Sequence, residues 1–445
     1  MTRLPHFEIE AAELHGGLTF AVRSGGHTHV YTLTGCNQSD FLVFYAELAR
    51  DFGTRPPRAV TERSSAGDPP WRPLLTENVS PKILSGYGDP AVLKTDGGYY
   101  LVATSNDAPD AFPILHSPDL EQWRHVGFGF PEGQAPAWTA AGVKVGDFWA
   151  PEIARVGDEY WMVYTARDAS HVLSIGLAKS DSPAGPWRDI GRPLLTGGRI
   201  DGHIFIDDDG QPYLFWKEDR NGIWPRKLAA FLRDRPDLIG EIFNRDEDRR
   251  TAAFAASIVG WAASRRPIER FFLMQPFIGS AVANWPNVRR ILSNCEGSEE
   301  ILAALQTPIL AQRLSADGES LVDEPVTVIA NDLDWEGHLV EGPFLWKQDG
   351  RYWLFYAAND FTDPAYGIGV AVADHPLGPF VKKPEPLLSS ARSWAAPGHP
   401  SVAEGPDGTP QIFFHAYFPG TGGYNVFRAL LTARLKFTST EVQLF

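Results

Sequence analysis

One pattern of polar and apolar positions recurs along the chain: a turn that contains Asp or Gly, followed by an apolar strand rich in aromatic residues. The copies begin at Asp96, Gly157, Asp209, Asp349 and Asp407. Successive copies lie about 60, 50, 140 and 60 residues apart. A further apolar strand, a polar turn and often an aromatic residue complete most copies. A period of about 50 to 60 residues is typical of a four-stranded propeller blade with its loops.

The repeat predicts an all-β fold, a five-bladed β-propeller that spans residues 81–445. The long third spacing indicates an insertion, because the second half of that copy begins only at Pro308. Segments 227–234, 251–263 and 299–305 have the composition and apolar spacing of helices. We therefore predict a helical insertion over 223–306 within blade three. A packing or dimerisation appendage is the alternative to a functional role for it.

Residues 1–80 lack the repeat and are predicted as a separate N-terminal extension. Segments 18–22 and 28–33 have the composition of strands, and 41–50 fits either a strand or a helix. Residues 55–73 are rich in proline and are predicted as an irregular connector.

Composition excludes several classes of function. The net charge is −15, which argues against nucleic acid and anionic membranes as partners. Two cysteines far apart in the sequence make neither a disulfide framework nor a zinc cluster. The first ten residues carry acids where a signal peptide needs an apolar run, and no stretch approaches a membrane span. We therefore expect a cytoplasmic protein, and its oligomeric state stays open.

Polar residues interrupt the short segment that precedes each repeated strand, where the innermost strand of a blade is expected. Asp89, Asp201 and Glu341 lie at matching places in the first, third and fourth of these segments, and His399 lies in the fifth. Innermost strands converge on the propeller axis, so these side chains are predicted to meet there. Three converging carboxylates suit metal binding or acid–base chemistry, including glycoside hydrolysis.

These segments resemble the motifs of glycoside hydrolase family 43, five-bladed propellers that hydrolyse pentose-containing glycans with inversion. The matching motifs, in order, are Gly88-Asp-Pro, Trp149-Ala-Pro-Glu152, Ile200-Asp-Gly-His203, Glu341-Gly-Pro and Gly398-His-Pro-Ser-Val. The resemblance covers roughly residues 80–440 apart from the insertion. It implies that Asp89 is the general base and Glu341 the general acid, with Asp201 orienting Glu341 and tuning its pKa. Inversion requires about 6.5–9.5 Å between base and acid.

The same resemblance implies a role for His399, and residue type and position suggest further candidates. His399 would lie in the axial channel and hold a water molecule or a structural Ca²⁺ ion; no cofactor is required for the reaction itself. Trp149 and Trp138 could offer a ring face to a sugar, while His203 and Tyr87 are additional candidates for substrate binding. Glu152 is interpreted as a structural residue.

The insertion follows the second strand of its blade, so its loop opens on the face where the first strands begin. We expect it to wall one side of the site and to favour exo action on terminal sugars.

The expected function is an inverting exo-glycosidase that releases α-L-arabinofuranosyl or β-D-xylosyl ends from plant-derived oligosaccharides. Two alternatives remain at this point: a hydrolase of galactans or fructans on the same propeller, and a carbohydrate-binding propeller without catalysis. The chain lacks the Asn-Pro-Asp-Pro start and the following jelly-roll module of one β-xylosidase branch.

Overall fold

The computed structural model describes residues 6–14, 17–36, 38–56, 67–140 and 146–445. The described chain divides into two compact units, each formed by two separate stretches of sequence. The first unit comprises the residues up to 56 together with 220–306. The second comprises 67–219 together with 307–445.

The first unit combines a small sheet with helices. Three antiparallel strands pair in the order β1-β2-β3, with bounds β1 Glu8–Leu14, β2 Gly17–Ser24 and β3 His27–Leu33. The helices are α1 Gln38–Phe52, α2 Ile223–Asp234, α3 Ile239–Ile242, α4 Asp246–Ala262, α5 Pro267–Val282, α6 Trp285–Leu292 and α7 Glu299–Ala304, with a 3-10 turn at Pro236–Leu238. One apolar core joins residues from both stretches.

The second unit consists of antiparallel sheets in which strands follow one another in chain order. The first sheet contains β5 Ala91–Thr95, β6 Gly98–Val102, β7 Ala111–Ser117 and β8 Arg124–Phe130. The second contains β9 Trp149–Val156, β10 Glu159–Arg167, β11 Leu173–Ser180 and β12 Arg188–Asp189. The third contains β13 Arg199–Ile206, β14 Pro212–Glu218, β15 Ile309–Leu314 and β16 Leu321–Ile329.

The fourth sheet contains β17 Val340–Gln348, β18 Arg351–Ala358, β19 Gly367–Ala373 and β20 Val381–Lys382, preceded by a 3-10 turn at Asp334–Glu336. The fifth contains β21 Ala395–Glu404, β22 Pro410–Tyr417, β23 Ala429–Phe437 and β24 Val442–Leu444. It has one more strand, β4 Trp71–Leu75, which pairs with β23 beside β24. The two ends of this unit's chain thus meet on one strand.

The first strands of the sheets form a closed ring. Each contacts the first strand of the next sheet, and β21 of the fifth sheet contacts β5 of the first. The aromatic-rich second strands are buried almost throughout because neighbouring sheets cover both of their faces. We interpret each sheet as one propeller blade, and the ring of first strands as the wall of its axial channel.

The mostly β fold predicted from the sequence is confirmed. The repeated aromatic segments form β6, β10, β14, β18 and β22. The helices α2–α7 lie between β14 and β15, the second and third strands of the third sheet. The ambiguous segment 41–50 is helical, as part of α1. Much of the predicted connector, residues 57–66, lies outside the described residues, and its end forms β4.

Within the described residues, no helix is both long enough and apolar enough to cross a lipid bilayer.

Candidate active site

The candidate site is built on an irregularity shared by the first strands. In each, or just before it, one residue has a positive φ angle: Asp89, Ala150, Asp201, Gly342 and His399. The strand pairing shifts register at these residues in the second to fifth sheets, as β-bulges do, and bulges commonly re-aim side chains beside active sites. Asp89, Asp201 and His399 are therefore structurally equivalent. Glu341 precedes the equivalent position by one residue, so the predicted matching of all three acids is corrected.

Asp89 is held by charged and polar partners from several elements. Arg428 donates two hydrogen bonds to its carboxylate, Nη1 to Oδ1 at 2.8 Å and Nη2 to Oδ2 at 3.1 Å. The Thr104 hydroxyl donates to Oδ2 at 2.5 Å. Burial is the largest single influence and would raise the pKa of Asp89, but Arg428, His399, His415 and the Thr104 hydroxyl together outweigh it and hold the pKa well below the ordinary value. Asp89 is therefore ionised throughout the usual pH range.

Glycine precedes Asp89 for a steric reason. A Cβ atom at Gly88 would overlap the guanidinium of Arg428. Only glycine at this position leaves room for the two-pronged contact between Arg428 and the neighbouring carboxylate.

Glu341 lies on β17, and each of its carboxylate oxygens has a different donor. Lys217 Nζ lies 3.1 Å from Oε2, and the Tyr366 hydroxyl donates to Oε1 at 2.7 Å. Burial raises the pKa of Glu341 above its ordinary value, and the nearby Asp201 carboxylate raises it further. Lys217 and Tyr366 oppose this rise without cancelling it. The side chain still keeps 13% of its surface exposed.

Asp201 connects the third and fourth sheets. Its own backbone N–H donates to the Thr165 hydroxyl at 3.1 Å, and its Oδ2 accepts the Gly342 N–H at 2.9 Å. This second bond fixes the backbone directly after Glu341. Burial raises the pKa of Asp201, while the charges of His399 and Lys217 oppose the rise. Asp201 is thus placed both to orient Glu341 and to raise its pKa.

Two histidines lie beside Asp89. Nδ1 of His399 and Nδ1 of His415 are each 3.5 Å from Asp89 Oδ1. His415 Nδ1 also accepts the Asp89 backbone N–H at 3.1 Å. Burial holds the pKa of His415 well below its ordinary value, so its ring is neutral with the proton on Nε2.

The fit of a calcium ion beside His399 was part of the sequence prediction. Ca²⁺ takes six to eight oxygen ligands. Among residues 6–14, 17–36, 38–56, 67–140 and 146–445, no group of three His, Cys, Asp or Glu side chains is placed to hold a metal. The oxygens of Asp89 nearest His399 are already bound by Arg428 and Thr104. These donors do not fit a calcium site, and no step is assigned to a metal.

Trp149 is half-buried at the start of β9, one residue before the positive-φ position of its sheet. The Arg167 guanidinium lies 5.9 Å from its ring centre. Arg167 also pairs with Asp147, whose carboxylate accepts the Tyr424 hydroxyl at 2.9 Å. Trp149 therefore keeps a partly exposed ring beside a polar cluster, which suits contact with a sugar.

The other predicted binding residues have structural partners. Trp138 donates to Asp189 Oδ1 at 3.2 Å and stacks on Tyr164. The buried Tyr87 hydroxyl donates to the Glu77 carbonyl at 3.0 Å and accepts the Val79 N–H at 2.9 Å. These contacts favour packing roles for Trp138 and Tyr87.

His203 has both ring nitrogens occupied. Nδ1 lies 2.5 Å from Glu152 Oε2, and Nε2 accepts the Leu345 N–H at 2.9 Å. The ring is buried, so no polar atom of His203 remains for a sugar hydroxyl. The predicted structural position of Glu152 is consistent with this contact.

Sequence reasoning missed the residues that surround the carboxylates: Thr104, Lys217, Tyr366, His415 and Arg428. Three of them carried a readable signal. Thr104, Lys217 and His415 lie at matching places of the repeated segments, five residues after Tyr99, Pro212 and Pro410. A polar residue there interrupts an apolar segment. Tyr366 and Arg428 lie on loops without any such regularity.

The site therefore brings together one carboxylate that stays ionised and a second whose pKa is raised, with a third beside it. The sequence profile of the family described as Glycosyl hydrolases family 43 matches residues 80–234 and 290–441. The chain belongs to this family.

Individual characterised proteins are similar to the chain at low identity. "Xylosidase/arabinosidase 43A" from Humicola insolens is 24% identical over 258 residues, which is 58% of this chain and 62% of that protein. "Beta-xylosidase" from Xylanibacter ruminicola is 22% identical over 263 residues, 58% of this chain and 61% of that protein. The matches thus span less than two thirds of the length of either relative.

A solved structure described as a thermostable family-43 glycoside hydrolase superposes on the chain with a TM-score of 0.57 at 28% identity. The match covers 86% of this chain and 96% of that one. Residues 235–289 of the first unit lie outside the family 43 match, as do the residues before 80.

Proposed function

We propose that the chain is an inverting exo-glycoside hydrolase that releases terminal α-L-arabinofuranosyl or β-D-xylosyl residues from plant-derived oligosaccharides. The observation that carries this proposal is the opposite displacement of two pKa values at one buried site: that of Asp89 is lowered and that of Glu341 is raised. Pairs of carboxyl groups whose environments separate their pKa values divide the roles of acid and base between them.

Glu341 acts as the general acid. Its raised pKa keeps it protonated at the pH of the reaction, so it can donate a proton to the glycosidic oxygen as the bond to the sugar breaks. Asp201 supports this role in two ways. Its charge raises the pKa of Glu341, and its bond to the Gly342 N–H holds the adjoining backbone.

Asp89 acts as the general base. Because it stays ionised, it can accept a proton from a water molecule that attacks the anomeric carbon from the opposite face of the sugar. Arg428 and Thr104 fix the plane of its carboxylate. The reaction consumes one water, and its product has the inverted anomeric configuration.

The substrate class is supported by the names of the similar proteins, which include xylosidase and arabinosidase activities. Trp149 offers an aromatic face to the sugar in this proposal, which its partly exposed ring supports. The partner proposed for the site is accordingly an oligosaccharide with a pentose end.

The test uses purified wild type, Asp89→Asn and Glu341→Gln with a panel of aryl glycosides: α-L-arabinofuranoside, β-D-xyloside and β-D-galactoside. We expect wild-type turnover of at least one pentoside, and NMR of the first product formed shows inversion. Removal of a general acid or base typically costs about 10²–10⁴-fold in rate. We expect a loss of this size in kcat/KM for each variant.

Circular dichroism is the control for folding. The spectrum of each variant should match that of the wild type, which excludes loss of folding as the cause of a lower rate. Binding of pentose oligosaccharides without turnover would instead favour a carbohydrate-binding propeller. Turnover of the galactoside or of a fructan alone would move the chain to another sugar class. Undiminished hydrolysis by Glu341→Gln would refute the assignment of the acid.

A further inference from the structure

One position of the repeated aromatic segments faces the next sheet of the ring. It is the sixth residue when each segment is counted from Tyr99, Tyr160, Pro212, Tyr352 or Pro410. These residues are Thr104, Thr165, Lys217, Ala357 and His415. Three of them bond the backbone N–H of the positive-φ residue in the next sheet: Thr104 that of Ala150, Thr165 that of Asp201, and His415 that of Asp89. In these three sheets the position therefore satisfies the backbone donor of the positive-φ residue.

Lys217 departs from this pattern. A lysine ammonium has no acceptor, so it cannot take a backbone N–H. The N–H that it would have served, that of Gly342, is bound by Asp201 instead. Lys217 Nζ lies 3.1 Å from Glu341 Oε2, and its side chain has no exposed surface. A lysine is seldom fully buried without a paired charge, and the Glu341 carboxylate supplies such a charge here.

The donors around Glu341 differ in what they permit. The ammonium of Lys217 can only donate, so Oε2 beside it must remain an acceptor. The Tyr366 hydroxyl beside Oε1 can either donate or accept. When Glu341 is neutral, its carboxylic acid proton can therefore lie on Oε1. It cannot lie on the side of Oε2 that faces Lys217.

Building on the function proposed above, we propose that Lys217 is a positioning residue that keeps Oε2 of Glu341 as an acceptor and so assigns the transferable proton to Oε1. In the reaction this proton passes from Oε1 to the glycosidic oxygen as the bond between that oxygen and the anomeric carbon breaks. The attacking water forms the new bond to that carbon and gives its proton to Asp89. Tyr366 then donates to Oε1 of the ionised Glu341.

The charged groups that face Glu341 come from three elements. Asp201 of β13 raises its pKa, whereas Lys217 of β14 and the Tyr366 hydroxyl before β19 lower it. On the remaining side, His399 of β21 packs against Gly342, the residue after Glu341. Glu341 must be protonated to act, so activity falls as pH rises through its pKa. Loss of Lys217 removes a lowering influence, and the alkaline limb of the pH profile then moves to higher pH.

The test is the pH dependence of kcat/KM for Lys217→Met, which keeps the length of the side chain and removes the charge. A charge at this distance shifts a pKa by about 1–3 units, so we expect the alkaline limb to rise by about that amount. We also expect kcat to fall more for pentosides with poor leaving groups than for aryl pentosides with good ones, because only the former depend on proton donation.

Lys382→Met is the matched control. Lys382 belongs to the same sheet as Glu341 and forms another largely buried pair, with both oxygens of Glu336 at 2.7 Å. Its loss should lower the melting temperature but leave the alkaline limb in place. A limb that stays in place in Lys217→Met, or a loss equal for all leaving groups, would overturn the proposal.

Tyr366→Phe tests the assignment of Oε1 independently, also where Lys217→Met does not fold. The variant removes the hydroxyl that lowers the pKa of Glu341, so the alkaline limb should again move upward; an unchanged limb contradicts the assignment. Failure of the proposed function is distinguishable, since it would appear as full activity of Glu341→Gln. Failure of this inference leaves Glu341→Gln inactive and the limb of the other variants unmoved.

Discussion

Arg428 contributes most among the groups that favour the ionised form of the proposed base. It is largely buried beside Asp89 and reaches both carboxylate oxygens, an arrangement that combines charge with fixed geometry. The burial of Asp89 would otherwise favour its neutral form, which cannot accept a proton from water. Arg428 is the strongest of four groups that together convert an unfavourable site for a charge into a favourable one.

Arg428→Met should therefore raise the pKa of Asp89. Activity needs ionised Asp89 and is lost as pH falls through that pKa, so the acidic limb of kcat/KM should move to higher pH, by about 1–3 units. The measurement is a pH profile on an aryl pentoside. Arg434→Met serves as the control because Arg434 lies on β23 and pairs with Asp407 at an exposed site. An acidic limb that does not move in Arg428→Met would contradict the role given to this arginine.

At the residue scale, the sequence identifies polar side chains that interrupt an apolar strand. It does not identify side chains whose role depends on a contact with a distant part of the chain. Asp89, Asp201, Glu341 and His399 could be found because each interrupts an apolar first strand. Arg428 could not, since it contacts a carboxylate 339 positions earlier in the chain.

The sequence makes Trp138 a candidate for sugar binding, because a tryptophan near a site can either contact a sugar or pack inside the protein. The contact with Tyr164 that favours packing is seen only in the structure.

The same three-residue arrangement occurs in the second and fourth sheets. Tyr164 of β10 donates to Asp189 at 2.6 Å and stacks on Trp138, with ring centres 6.1 Å apart. Tyr356 of β18 donates to Glu336 at 2.7 Å and stacks on Trp335 at the same separation. Each tyrosine also faces a glycine of the third strand across the ladder. In both sheets the tyrosine on the second strand thus holds the loop that precedes the first strand. In the second sheet it also holds the outermost strand, through Asp189.

Tyr164→Phe and Tyr356→Phe should each destabilise the protein without altering the pH profile. Tyr164→Phe leaves Asp189 Oδ2 without its tyrosine donor, at a cost of about 1–3 kcal/mol. Tyr356→Phe should cost less, because Lys382 still donates to Glu336 Oε1. Urea unfolding followed by fluorescence measures the loss. Tyr160→Phe, at the half-buried start of β10, should cost less. A large change in KM with unchanged stability would show instead that Trp138 and its partner contact the substrate.

At the level of elements, the repeated second strands were predictable because a strand buried on both faces is apolar throughout. The helices α2, α4 and α7 were predictable from their composition. The helices α5 and α6 were not proposed, and each has proline in its first turn, with another inside α5. Segment 41–50 was ambiguous from its sequence. Its helical form is stabilised by packing, since Phe41, Phe44 and Leu48 all point into one core.

The first unit depends on contacts between residues far apart in the chain. Phe7 packs edge-on against Phe254, and the Tyr45 hydroxyl donates to the Leu273 carbonyl at 2.6 Å. Arg55 forms a buried ion pair with Asp248, Nη1 to Oδ1 at 2.8 Å. From the sequence alone, residues 1–80 and 223–306 are predicted as two separate segments. Neither contains the repeat, and neither carries a motif that indicates contact with the other. A deletion of 223–306 alone would expose the apolar side of α1.

Asp248→Asn should destabilise the first unit strongly. It leaves Arg55, whose side chain is 5% exposed, as an unpaired buried charge, and breaking a buried pair typically costs about 3–5 kcal/mol. Differential scanning calorimetry should show a transition that moves to lower temperature. The exposed pair of Arg233 and Asp234 provides the control, because Arg233→Met should cost less than about 1 kcal/mol. Equal effects of the two substitutions would rule out a special role for the buried pair.

The pairing of β4 with β23 has a consequence for synthesis on the ribosome. These strands are separated by about 350 residues, so β4 emerges long before its partner exists. At about 5–20 residues per second, the wait is roughly 18 to 70 s. During that time β21 and β5 cannot adjoin, and the inner edge of the first sheet stays open to solvent or to a chaperone. The nascent chain therefore acquires its assembled carboxylates only after Arg428 has been synthesised and lies beside Asp89.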